Sequence, residues 1–167
     1  MNNNHFFVIS CKTTNFGDCL TKIFFETLSK KSVILSKNKN IEHYISVGSI
    51  IGKANHNSIV MGSGAMEKHT RINNVKEILW VRGPLTRNNL LKSNIECPEK
   101  YGDPFILFPL IYNNTNSLIK YDIGFIPHTN DKFSDKYKDL VKELSINKKI
   151  KEIDINLKNK NYKDFID

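Results

Sequence analysis

His5-Phe6-Phe7-Val8-Ile9-Ser10, then Thr13-Thr14-Asn15-Phe16-Gly17-Asp18, then Cys19 to Ser29 with Leu20, Ile23, Phe24 and Leu28 at helical spacing, decide how this chain folds. The first stretch is a short apolar run with β-branched and aromatic members, as a buried parallel strand requires. The second supplies Asn and Gly for unusual backbone angles and ends in Asp18, an expected N-cap for a helix from about Cys19 to Ser29. The third gives that helix one apolar face to lay on a sheet. Strand, Gly-bearing loop and helix, in this order, open a βαβ unit.

The pattern continues along the chain. Tyr44-Ile45-Ser46-Val47-Gly48-Ser49 and Ser58-Ile59-Val60-Met61 are short apolar runs ending in small residues, the second in Gly62-Ser63-Gly64. Ile78-Leu79-Trp80-Val81 predicts a further strand, and Pro84 then stands where a first-turn proline belongs, opening a helix to about Ser93. The reading is α/β: a Rossmann-like parallel sheet with flanking helices. In such sheets ligands bind beyond the C-terminal strand ends, so the loops at 13–18, 62–66, 82–87 and 101–104 are expected to line one crevice.

Beyond Asn113-Asn114-Thr115-Asn116-Ser117, which reads as a linker, the texture changes. Tyr121 to His128 predicts a new strand, Ser134 caps a helix through about Leu144, Ile150 to Ile155 predicts another strand, and Asn161 to Asp167 begins a further helix. The expected organisation is therefore an N-terminal Rossmann-like domain over 1–117 and a partial second one over 118–167.

Four segments in order go beyond general α/β texture: Asn15-Phe16-Gly17-Asp18, Gly62-Ser63-Gly64, Val81-Arg82-Gly83-Pro84-Leu85-Thr86-Arg87, and Tyr101-Gly102-Asp103-Pro104 followed by Phe105-Ile106-Leu107-Phe108-Pro109. Together they resemble the polysaccharide pyruvyl transferase family, and Ile123-Gly124-Phe125-Ile126-Pro127-His128 is similar to the strand that opens that family's second domain. The resemblance implies a glycosyltransferase-B-like (GT-B-like) architecture of two Rossmann-type domains around a cleft. It implies transfer of pyruvate from phosphoenolpyruvate to a sugar hydroxyl pair as a ketal, in exopolysaccharide or cell-wall polymer synthesis. The partners it implies are phosphoenolpyruvate and a glycan or lipid-linked sugar acceptor, with no cofactor beyond that donor. No Leu-His dipeptide, which contributes to the family's donor site in the second domain, occurs in the sequence. The expectation is thus a truncated chain, inactive alone and completed by a separate C-terminal half. A noncatalytic binding module or remnant, and a sugar-nucleotide glycosyltransferase of similar architecture, are the alternatives.

Phosphoenolpyruvate carries a carboxylate and a phosphate, so its site needs fixed cationic or N–H donors. Ketal formation also needs an acid for the methylene carbon and a base for the acceptor hydroxyl. By the resemblance Arg82 contacts the donor; its bland reading is a helix-start arginine. Asp18 is read as base or sugar-hydroxyl ligand and, compatibly, as a helix N-cap. Asp103, before Pro104, is read as a ligand or as a cap. Asn15, Gly17, Gly62, Ser63 and Gly64 complete the expected binding loops, the glycines by permitting close backbone approach. His128, at a strand end facing the expected cleft, is read as a binding residue with an acid role or as a hydrogen-bonded structural one. Arg87 lies about 140° round a helix from Arg82, so the two need not share a site; a surface ion pair is its alternative.

Composition bounds the rest. In 167 residues, 25 basic and 17 acidic side chains give a formal charge of +8, but three of the basic residues are arginine (Arg71, Arg82 and Arg87) and the lysines are scattered. Without a dense basic stripe interleaved with aromatics, specific nucleic-acid binding is not expected. Cys11, Cys19 and Cys97 form no CxxC pair and are expected to be reduced and buried; the five histidines show no metal-ligand spacing, and no metal is expected. No apolar run reaches the length of a spanning helix and the N-terminus lacks a secretion signal, so the expected location is the cytoplasm with no transmembrane segment.

Overall fold

A computed structural model describes residues 5–9, 15–72, 74–113 and 118–156. The described chain divides into two compact units: the first built from β1 and the described residues of Gly17–Asn113, the second from Asn15, Phe16 and the described residues of Asn114–Asp167.

In the first unit, β1 (His5–Ile9), β2 (Ser32–Ser36), β3 (His43–Ile45), β4 (Ser58–Met61) and β5 (Glu77–Trp80) form one parallel sheet in the order β2-β1-β3-β4-β5. Helix α1 (Phe16–Ser29) links β1 to β2, and α2 (Pro84–Lys92) follows β5. The fold is α/β and Rossmann-like. Alternation along the strands divides the core in two. Ile9, Ile45, Val60 and Val81 point to one face and pack with Ile51 and with Leu90 of α2. Val8 and Val47 point to the other, where Phe24 and Phe25 of α1 cover them with Val33.

Three differences from the sequence expectations have local causes. Helix α1 begins at Phe16 rather than at about Cys19, so Asp18 lies inside the first turn and is not the N-cap; there its carboxylate still complements the positive end of the helix. Strand β3 stops at Ile45, short of the expected run to Ser49, and beyond it Gly48, at φ +95°, turns the chain in a left-handed conformation that a strand would not continue through. Strand β2, not anticipated from the sequence, pairs along β1 from His5↔Ser32 to Ile9↔Ser36 and forms the sheet edge.

The second unit holds β6 (Ile123–Phe125), α3 (Asp135–Leu144) and β7 (Ile150–Glu152), the strands paired in parallel: one βαβ unit. Ser134 caps α3, its side chain accepting from the Tyr137 N–H at 3.2 Å. Both strands are shorter than expected. The anticipated helix at 161–167 lies outside the described residues, as do 114–117 of the anticipated linker. Among the described residues no helix is long and apolar enough to cross a membrane.

Candidate functional site

With the order 2-1-3-4-5, the chain leaves β1 for opposite sides of the sheet at β2 and β3, so the C-terminal ends of β1 and β3 form the switch point where open sheets of this kind present ligand loops. The turn after β3 is the centre of the candidate site. The Gly48 carbonyl accepts both the Ser63 hydroxyl (3.0 Å) and the Gly64 N–H (3.0 Å), while Ser63 Oγ accepts the Ile50 N–H at 3.3 Å. Ser63 is fully buried, so these bonds form in a low dielectric and fix the loop after β4 to the loop after β3. The Arg82 N–H donates to the Ser63 carbonyl at 3.2 Å, tying in the loop after β5 as well.

The half-buried Arg82 side chain lies across Gly64: a Cβ built there would overlap the guanidinium. Arg82 Nη2 donates to Ser49 Oγ at 2.9 Å. That bond uses one of the guanidinium's N–H donors, and among the described residues the rest of the fork has no further acceptor. Asp18 approaches the same turn; a Cβ on Gly48 would stand 3.9 Å from Asp18 Oδ1. A cation and a carboxylate from two segments thus meet neighbouring residues, Ser49 and Gly48, of one turn. Asp18 also acts on its neighbour: burial first, and then the Asp18 carboxylate, push the Cys19 thiol up.

The other expected residues are spread more widely. Gly62 (φ +83°) makes room for the Pro104 ring and for Trp80 Nε1, which would stand 2.8 Å from a Cβ there, so the group approaching its backbone is protein. Asp103 Oδ1 accepts the Phe105 N–H at 3.0 Å and caps a 3-10 helix, Pro104–Leu110. Gly17 lies in the first turn of α1, where its carbonyl accepts the Thr21 hydroxyl at 3.2 Å. Asn15 pairs with Asn156 as an isolated antiparallel bridge in the second unit. His128, also in that unit, is exposed; its Nδ1 accepts the Asn130 N–H at 3.3 Å and its carbonyl starts the turn that leads into α3. Arg87 turns away to donate to the Cys97 carbonyl at 3.1 Å rather than to a surface acid. Cys97 is buried and Cys19 only half-buried, short of the burial expected for it, and neither forms a disulfide; Cys11 lies outside the described residues.

Gly48, Ser49 and Thr86, whose buried hydroxyl accepts the Ala65 N–H at 3.0 Å, were not anticipated. The available signal was Gly48-Ser49 at the end of an apolar run, the same small-residue ending that marks Gly62-Ser63-Gly64. Among the described residues no group of three or more His, Cys, Asp or Glu side chains comes together to hold a metal.

No family model matches this sequence, and no solved structure matches it. Over 133 residues, 77% of the chain, it is 32% identical to "Uncharacterized protein L143" of Acanthamoeba polyphaga mimivirus, and it spans 45% of that protein's length.

Proposed function

We propose that this chain supplies the first lobe of a GT-B-like transferase that moves pyruvate from phosphoenolpyruvate onto a sugar as a ketal. The observation that carries the reading is Arg82, held across Gly64 by Ser49 at the C-terminal edge of a parallel sheet, its side chain bonded among the described residues to Ser49 alone. In this reading the guanidinium takes a donor carboxylate or phosphate oxygen pair, and Asp18 receives the proton of an acceptor hydroxyl. Protonation of the methylene carbon makes the adjacent carbon electrophilic; one sugar hydroxyl adds to it, giving up to Asp18 a proton that balances the one the methylene took, and the second displaces phosphate, which leaves with that hydroxyl's proton. The products are the ketal and inorganic phosphate. Arg82 stabilises charge that builds on the donor through this sequence. The ordered sequence motifs supply the substrate class, and the strand-end geometry supports an anion there. Phosphoenolpyruvate is substrate rather than resident cofactor, the acceptor is a glycan or lipid-linked sugar, and a cytoplasmic location follows from where that donor is found.

Thermal-shift and calorimetric titration with phosphoenolpyruvate test it. Phosphoenolpyruvate should raise the melting temperature through binding to the folded state, and Arg82→Ala should remove the shift. Stabilisation by nucleotide sugars but not by phosphoenolpyruvate would instead mark a sugar-nucleotide glycosyltransferase, and an Arg82→Ala variant that binds phosphoenolpyruvate unchanged would remove the assignment.

A further inference from the structure

Among the described residues, the face of the sheet that carries α1 is incompletely covered. Helix α2 and the 3-10 turn at Ile51–Lys53 place Leu90 and Ile51 on the opposite face, so over β3, β4 and β5 the α1 side has as cover α1 itself and the segment from Pro104 onward. Between them lies a cavity of about 390 Å³. Its floor is one side chain from each of four neighbouring strands, Phe6, Tyr44, Met61 and Trp80, and its walls include Phe24 and Leu28 of α1 and Leu107. The volume falls in the range of small-molecule sites, roughly 300–1,000 Å³. The aromatic rings hold one another in edge-on contacts, Phe6 to Tyr44 at 5.2 Å and Phe6 to Phe25 at 6.1 Å, so the surface is preformed.

At the margin, where α1 ends, the lining turns polar with Ser29 and Lys31. Ser29 Oγ accepts the Lys31 N–H at 3.1 Å, which leaves its own O–H to donate outward. The nearby carboxylate of Glu26 is taken by the Val33 N–H at 3.0 Å and by Lys22 at 3.8 Å, and among the described residues Lys31 has no acidic partner. An apolar hollow with a cation and a hydroxyl donor on its margin, and no acid among the described residues that line it, complements a molecule with an apolar body and one anionic end.

We propose that this cavity binds an apolar monocarboxylate of medium chain length, the chain laid against Phe6, Met61 and Trp80 and the carboxylate on Lys31 and Ser29. Asp18, Ser49, Gly64 and Arg82 are not in its lining, and the proposal does not depend on the transferase reading.

Trp80 is the sole tryptophan of the chain and lines the cavity, so its emission reports occupancy. Decanoate, titrated below micelle formation and followed by Trp80 emission and by calorimetry, should bind saturably with one molecule per chain. Lys31→Glu, at an exposed position, should weaken decanoate by roughly tenfold while leaving 1-decanol unchanged. Met61→Phe, which fills the floor, should weaken both. Three results overturn the proposal: no saturable change in emission or heat; equal binding of decanoate to the parent and to Lys31→Glu, which would reduce the hollow to a nonspecific apolar surface; or a decanoate-independent dimer by sedimentation in which Trp80 is already shielded. Should Met61→Phe fail to fold, the Lys31→Glu comparison decides alone.

Discussion

Arg82 occupies the space that a side chain on residue 64 would need, so the absence of a Cβ at Gly64 sets where the guanidinium lies. Gly64 is not in the left-handed region, and the group that would be displaced is the far end of a flexible side chain. The backbone therefore tolerates alanine there, while Arg82 must swing away from Ser49. Gly64→Ala is expected to change folding stability by less than about 1 kcal/mol. It should weaken phosphoenolpyruvate by about tenfold or more, the loss of a charge-assisted hydrogen bond. Urea denaturation beside calorimetric titration separates the two effects; a large loss of stability with binding intact would contradict the arrangement.

Two residues earlier the same substitution has the opposite signature. Gly62 has φ +83°, and its missing Cβ is replaced by the Pro104 ring and the Trp80 indole, neither of which can rotate away as a guanidinium can. Strain at a positive φ and overpacking add, so Gly62→Ala should cost about 2–4 kcal/mol. A midpoint shift in urea, with a red shift of Trp80 emission as the indole is pushed from its place, is the expected readout.

The contrast between these two glycines shows what was legible in the sequence. Gly62-Ser63-Gly64 marks a strand-end loop by residue type alone, but which glycine serves a ligand-facing arginine and which serves packing depends on Pro104 and Arg82, distant in sequence and brought close by the parallel sheet. The strands at 5–9, 58–61 and 77–80 were readable because their apolar runs are interrupted sharply by Gly, Asn or Pro. β2 was not, since Ser32–Ser36 follows α1 with two intervening residues, and Ile34 and Leu35, 42% and 47% exposed on an edge strand, carry no alternation toward a core. Asp18 was misplaced for a different reason: Asp serves equally as N-cap and in the first helical turn, and residue type does not tell these positions apart. Ser49 was missed because its role comes from a long-range contact with Arg82 rather than from a motif.

Ser63 joins the loops that carry Arg82 and Ser49. Its hydroxyl donates to the Gly48 carbonyl and accepts from the Ile50 N–H, fully buried. In Ser63→Ala the carbonyl keeps the Gly64 N–H, but the Ile50 N–H loses this acceptor. The expected cost is about 1–3 kcal/mol. Amide exchange at Ile50 should accelerate more than at Val60 in the strand interior, and phosphoenolpyruvate affinity should fall because Ser49 no longer holds Arg82 firmly. Uniform acceleration across the sheet would point to global destabilisation instead.

In the second unit, acid sensitivity should centre on Asp154. The Asn156 backbone N–H first, and then the Lys132 ammonium at 2.9 Å, hold its carboxyl down to about 2 from an ordinary value near 3.8. A carboxyl depressed in the folded state contributes stability that is fully present above its unfolded pKa and is lost as pH falls through the folded one. The window is therefore about pH 4 down to about 2. Asp154 is well exposed, so solvent screening keeps the contribution small. Asp154→Asn should melt below the parent at pH 5, and the gap should close as the pH approaches 2, where the parent's carboxyl is itself protonated. Far-ultraviolet circular dichroism melts of both proteins across that range measure it, and a gap that stays constant with pH would mean that packing rather than charge makes Asp154 matter.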